Sequence, residues 1–117
     1  RFDLEMVVTR RRRNFRRLSE ALDGVVRVIG APLAPGVCPL FVPIRVDDKP
    51  AMLRALARRG IDAIDFWGIG DAAAGAAEYP DAARLRREVL ELPCHQSLDD
   101  DAIDFVARVV RETVAHA

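Results

Sequence analysis

Apolar positions recur along the chain with two different periods. From residue 3 to 23, Val8, Arg11, Phe15, Leu18 and Leu22 fall on one stripe at spacings of three and four. That spacing predicts a helix, and Gly24 is placed to stop it. Val25–Ile29 is short and rich in β-branched residues, which predicts a strand. Ala31–Pro39 holds three prolines and a glycine and is expected to be a loop. Leu40–Val46 alternates, with Leu40, Val42, Ile44 and Val46 on one face and Phe41, Pro43 and Arg45 on the other. Pro43 has no N–H to give a ladder, so this strand is expected at an edge or bulged.

Asp47-Asp48-Lys49-Pro50 is a helix start, since an acidic cap and an early proline both suit the first turn. Met52, Leu53, Leu56 and Ala57 form its apolar face, and Gly60 ends it. Ile61–Trp67 predicts a strand, and Gly68–Ala77 a loop of small residues. Tyr79-Pro80 opens a helix to about Glu88, with Ala82, Leu85 and Val89 inward. Val89–Leu92 then forms a short strand closed by Pro93. Ser97-Leu98-Asp99-Asp100 resembles a capping box with Asp in place of Glu. The following helix carries Ala102, Val106, Val109 and Thr113 at helical spacing, widened by Ile103 and Val110. Strands separated by helices or long loops predict an α/β fold: a small sheet of about four strands with helices packed on it.

Composition narrows the possibilities. The chain has 117 residues, 50% of them hydrophobic and 31% charged, which fits one domain with a core. No apolar run approaches the ~20 residues a membrane helix needs. Arg1–Glu5 opens directly into a charged helix pattern, with no signal-peptide pattern. The chain begins with Arg1 and not Met, and so reads as a piece of something longer. Two cysteines, Cys38 and Cys94, are too few for a disulfide framework, so a reduced, cytoplasmic setting is expected. Formal net charge is zero but unevenly spread. Residues 1–24 carry seven Arg against four acids, and residues 88–117 two Arg against seven acids. The two ends can attract each other, or each can face a partner. A neutral chain of this kind does not read as a nucleic-acid binder.

Five features could carry chemistry. Arg10–Arg13, with Arg16 and Arg17, is the loudest. Four consecutive helical residues sweep about 300° of the circumference, so they cannot all line one groove. A solvated helix with Arg11 snorkelling is the plainer reading, and an Arg-rich interface the sharper one. Gly68-Ile-Gly70-Asp71 lacks the third glycine of a dinucleotide fingerprint, where Ala73 stands. Cys94-His95 offers two metal ligands at most, and no C-x-x-C spacing exists, so no metal site is expected. A core Cys94 beside an exposed or pocket-facing His95 is expected instead. Phe66-Trp67 ends a strand, in the core or as a pocket wall. Lys49 is the single lysine against 17 Arg. At a helix start after two acids it reads as a solvated lysine, not a Schiff-base amine.

Several segments, in order, resemble a known family. Arg11-Arg-Arg-Asn-Phe15 with Leu18 and Leu22 is similar to the linking helix of the DegT/DnrJ/StrS-type sugar aminotransferases. Leu40-Phe-Val-Pro-Ile-Arg-Val46, then Leu53, Leu56 and Arg59-Gly-Ile61, resembles the strand, helix and turn of the family's small domain. Tyr79-Pro80-Asp-Ala82 and Val89-Leu-Glu-Leu-Pro-Cys-His95 with Leu98 resemble its last strand and the approach to its last helix. Phe66-Trp67 stands where many members have His-Tyr, and Gln96 where proline usually follows the histidine.

The resemblance implies a C-terminal small domain of an aspartate-aminotransferase-fold enzyme, with residues 1–24 as linking helix and 25–117 as the domain. It implies a pyridoxal phosphate (PLP) parent that moves an amino group to a keto-sugar, often nucleotide-linked. The Schiff-base lysine would lie in a missing large domain, so this chain is expected to be catalytically incomplete, with no catalytic residue and no bound cofactor of its own. Phe66, Trp67 and His95 would be walls of the substrate pocket. A homo-oligomer is expected, because surface that would meet the large domain is uncovered. The alternative is a non-catalytic interaction module docking through its Arg-rich helix.

Overall fold

The computed structural model describes residues 3–65 and 80–116. Among them the elements run α1 (Leu4–Ala21), β1 (Arg27–Val28), β2 (Phe41–Arg45), α2 (Lys49–Arg58), α3 (Pro80–Glu88), β3 (Val89–Pro93) and α4 (Asp100–Ala115). The three strands form an antiparallel sheet in the order β1-β2-β3.

Each long helix starts on an aspartate. Asp3 accepts from Met6 N, Asp48 from Ala51 N and Asp99 from Ala102 N. Each carboxylate answers an amide that has no partner within the helix. The cap of α4 is therefore Asp99, and not the Ser97 of the expected capping box. Gly24 and Gly60 take positive φ after α1 and α2, a conformation open to glycine at little cost.

The core lies on one face of the sheet. Val42 and Ile44 of β2 pair with Leu92 and Leu90 of β3, and all four are buried. Phe15 and Leu18 of α1 with Leu22 at its C-cap, Met52 and Leu56 of α2, and Ile103, Val106, Val109 and Val110 of α4 close over them. Both α1 and α2 pack against α4. The basic start and acidic end of the chain meet here. Arg13 pairs with Asp100 at 2.6 Å, and Arg17 with Asp104 at 2.7 Å. Leu40 and Ala57, expected inward, are exposed.

Among the described residues three strands form, and β1 and β2 are shorter than the sequence predicts. Val25 N and Val26 N both donate to Leu22 O, so the exit turn of α1 claims the first half of the expected strand. At the other end Ile29 N donates to Pro43 O, and Pro43 has no N–H to return. Pro43 lies in the central strand and not at an edge. Glu91, its partner across the β2–β3 ladder, exchanges both its backbone bonds with Ile64. Pro43 therefore needs no donor toward β3, and its missing N–H faces the side where β1 ends. In the expected strand Ile61–Trp67, the described residues form one antiparallel bridge, Ile64 to Glu91. Ile61 N is taken by Leu56 O and Ala63 N by Ile61 O, which holds the start of that segment in turns.

Candidate functional site

His95 is the one predicted site residue within the described part of the chain; Phe66, Trp67 and the Gly68–Asp71 segment lie outside it. His95 follows Pro93, past the end of β3, on a four-residue turn. Leu98 N donates to His95 O at 3.1 Å and closes that turn. The imidazole is exposed, with Nδ1 2.6 Å from Ser97 Oγ. Cys94, one residue earlier, points the other way into the core. Its Sγ lies 3.9 Å from Pro39 O, and burial pushes its thiol up to about 11. A thiol held protonated in this way is a packing group and a poor nucleophile.

The turn is held from α1. Asn14 is buried in the apolar stripe, and its Nδ2 donates to His95 O at 3.0 Å and Leu98 O at 3.2 Å, with Cys94 O at 3.4 Å. Arg11, one turn earlier, donates through Nε to Gln96 Oε1 at 2.8 Å and through Nη1 to Pro39 O. Arg12 binds Ala34 O and Val37 O of the proline-rich loop. Arg11, Arg12, Arg13 and Arg17 thus all bond within the chain, which leaves Arg10 and Arg16 as the arginines of that helix with no bond to described residues. Proline suits the second corner of such a turn; Gln96 stands there and supplies an acceptor for Arg11 instead. Asn14 is the residue that sequence reasoning missed. A polar side chain on an apolar stripe was the available signal, but its partners lie about 80 positions away.

Lys49 overturns an expectation. It is 4% exposed, not solvated. Its Nζ donates to Arg86 O at 2.8 Å and pairs with the Asp65 carboxylate. Glu91, also buried, faces the same charges; burial raises its pKa, Lys49 lowers it, and Asp65 raises it. Asp65 is the residue before Phe66. The antiparallel bridge at Ile64 sets Asp65 toward the Val89 end of β3, while His95 lies past the Pro93 end.

Among the described residues no lysine is set up to hold PLP as an imine. An imine-forming lysine needs a free amine facing a cavity. The single lysine of the chain has its amine committed to a carbonyl and a carboxylate, and it lines none of the described clefts. The largest of the described clefts, about 800 Å³, lies between β1, α2 and the end of α4, and neither His95 nor Lys49 lines it. Among the described residues no three His, Cys, Asp or Glu side chains gather to hold a metal ion. No helix among them is long and apolar enough to cross a membrane.

Comparison with solved structures decides what fold this is. The aminotransferase TlmJ from Streptoalloteichus hindustanus superposes with a TM-score of 0.82 at 31% identity, over 97% of this chain and 33% of that one. The chain resembles part of a DegT/DnrJ/EryC1/StrS-type sugar aminotransferase. A DegT DnrJ EryC1 StrS aminotransferase from Brucella abortus matches with a TM-score of 0.78 at 23% identity, over 91% of this chain and 31% of that one. The PLP form of a sugar aminotransferase from Streptococcus pneumoniae matches with a TM-score of 0.78 at 16% identity, over 94% and 32%. At those lower identities the likeness is one of fold. The chain spans about a third of the length of the aminotransferases it matches. No protein-family model and no curated protein sequence matches it.

Proposed function

We propose that this chain is the C-terminal small domain of a PLP-dependent aminotransferase that acts on a keto-sugar, in a nucleotide-linked form. The observation that supports this most is the match to the aminotransferase TlmJ over 97% of the chain at 31% identity. The solved PLP form of the pneumococcal sugar aminotransferase supports PLP in the parent enzyme. The match to only about a third of each relative supports a large domain elsewhere as the first partner, with the cofactor and the reacting groups on it. In this proposal residues 1–24 link the two domains, and 25–117 form the small one. His95, with Phe66 and Trp67, walls the substrate pocket, and no residue of this chain takes part in bond making. A homo-oligomeric parent and a cytoplasmic location belong to the same proposal.

The test is a chimera in which this chain replaces the matching third of TlmJ. The proposal expects a folded, PLP-loaded chimera that transfers an amino group to nucleotide-linked keto-sugars. A chimera that folds and loads PLP, yet uses none of them, would falsify the substrate class.

A further inference from the structure

His95 stands on a turn whose position is set from a helix at the other end of the sequence. The turn's carbonyls face a buried side chain of α1. Asn14 is 2% exposed there, and its amide donates to His95 O, Leu98 O and, at longer range, Cys94 O. One side-chain amide has two N–H groups, so it can hold two of these carbonyls well and share a proton with the third. A carboxylate at the same place would set an oxygen against three oxygens. Arg11 adds a second hold on the same turn through Gln96 Oε1. The backbone of the turn is thereby fixed, and with it the 2.6 Å approach of Ser97 Oγ to His95 Nδ1. That contact occupies one ring nitrogen. Nε2 has no bond to the described residues and is the nitrogen left for a ligand. The surface pairs between α1 and α4 cannot fix the turn in this way. They are exposed and do not touch its backbone.

We propose that Asn14 is the positioning residue of His95: through the carbonyls of the 95–98 turn, the linking helix fixes where the imidazole points and which of its nitrogens is offered to substrate. The ligand half of this statement rests on the proposed function above; the positioning half does not.

Imidazole NMR of the ¹⁵N-labelled chain tests it, with the two histidines told apart by His95→Gln. Asn14→Ala should move the Nδ1 and Nε2 shifts of His95, as Ser97→Ala should. Val109→Ala, on α4 some 15 Å further along the helix from its start, should lower stability and leave the His95 signals in place. Unchanged His95 signals in a folded Asn14→Ala chain would overturn the proposal. If that variant does not fold, the native chain still answers. The Asn14 side-chain amide protons should exchange slowly and show contacts to His95 and Leu98, and exchange as fast as a solvent-facing amide overturns it. The substrate reading fails separately. In the TlmJ chimera, Asn14→Ala and His95→Gln should both raise KM for the sugar and spare kcat. A KM untouched by His95→Gln, with the NMR effect intact, removes His95 from the substrate but leaves Asn14 as what positions it.

Discussion

At the Pro93 end of β3 the chain buries neutral groups, and toward its Val89 end it buries charged ones. Past Pro93, Asn14 meets the carbonyls of residues 94, 95 and 98, and no partner carries a charge. Toward Val89, Lys49 pairs with the Asp65 carboxylate, donates to Arg86 O and pulls on the charge of Glu91. The neutral arrangement costs little desolvation and is directional, so it fixes a turn in place. The charged one must offset the burial of ions, and for Glu91 it does not do so fully. Burial is the largest influence on that carboxyl, and its pKa rises despite the lysine. A loop that presents a side chain is held by geometry, and a strand junction is held by charge balance.

The largest test of that contrast removes the cation. Lys49→Met should lower unfolding stability by roughly 3 kcal/mol in urea titrations, because it strands buried carboxylate charge. Adding Glu91→Gln should recover part of the loss. Asn14→Ala should cost about 2 kcal/mol, the penalty of leaving carbonyls buried without donors. If the two single variants cost the same at every pH, the contrast collapses. They should instead part company with pH. The Glu91 carboxyl binds its proton more tightly folded than unfolded. Its contribution is therefore fullest below the ordinary value of 4.5 and is lost as pH climbs through the raised folded value. Glu91→Gln should flatten the melting-temperature profile over that window, and Asn14→Ala should leave its shape alone. A smaller effect concerns the thiols: alkylation should modify the exposed Cys38 quickly and spare Cys94 until the chain opens. Smallest of all, Arg13→Ala with Arg17→Ala should leave the melting temperature within the scatter of duplicate scans, since those pairs are solvent-exposed.

The helices and one face of the sheet were legible because their signals are local. The acidic start read at Asp47-Asp48 does cap α2 through Asp48, while at α4 Asp99 takes the place expected of Ser97, and the stripes from Phe15 to Leu22 and Ile103 to Val110 bury as their spacing predicts. The attraction of the basic start for the acidic end was readable as charge alone. The strands were harder. Val25–Ile29 has strand composition, but its first amides go to Leu22 O and its far end meets a proline across the ladder. No composition shows either fact. Lys49 was misread because its surroundings in sequence are acidic and polar, while its surroundings in space are Arg86, Asp65 and Glu91. His95 enters as a candidate through the resemblance alone. Asn14 was visible only as one letter within that resemblance, and its task depends on a turn at the far end of the chain.

Pro43 has a consequence for how copies of this chain can meet. By denying Ile29 a donor it lets the chain leave the sheet after two residues of β1, and one of those two is an arginine. A strip that short, with a charge on it, is a poor template for another strand. Any association of copies along that side must then use side-chain surfaces, such as the cleft floored by Val26, Met52 and Val109, and not a continued hydrogen-bonded ladder. One ring in the middle strand thus acts as a guard against runaway stacking of sheets.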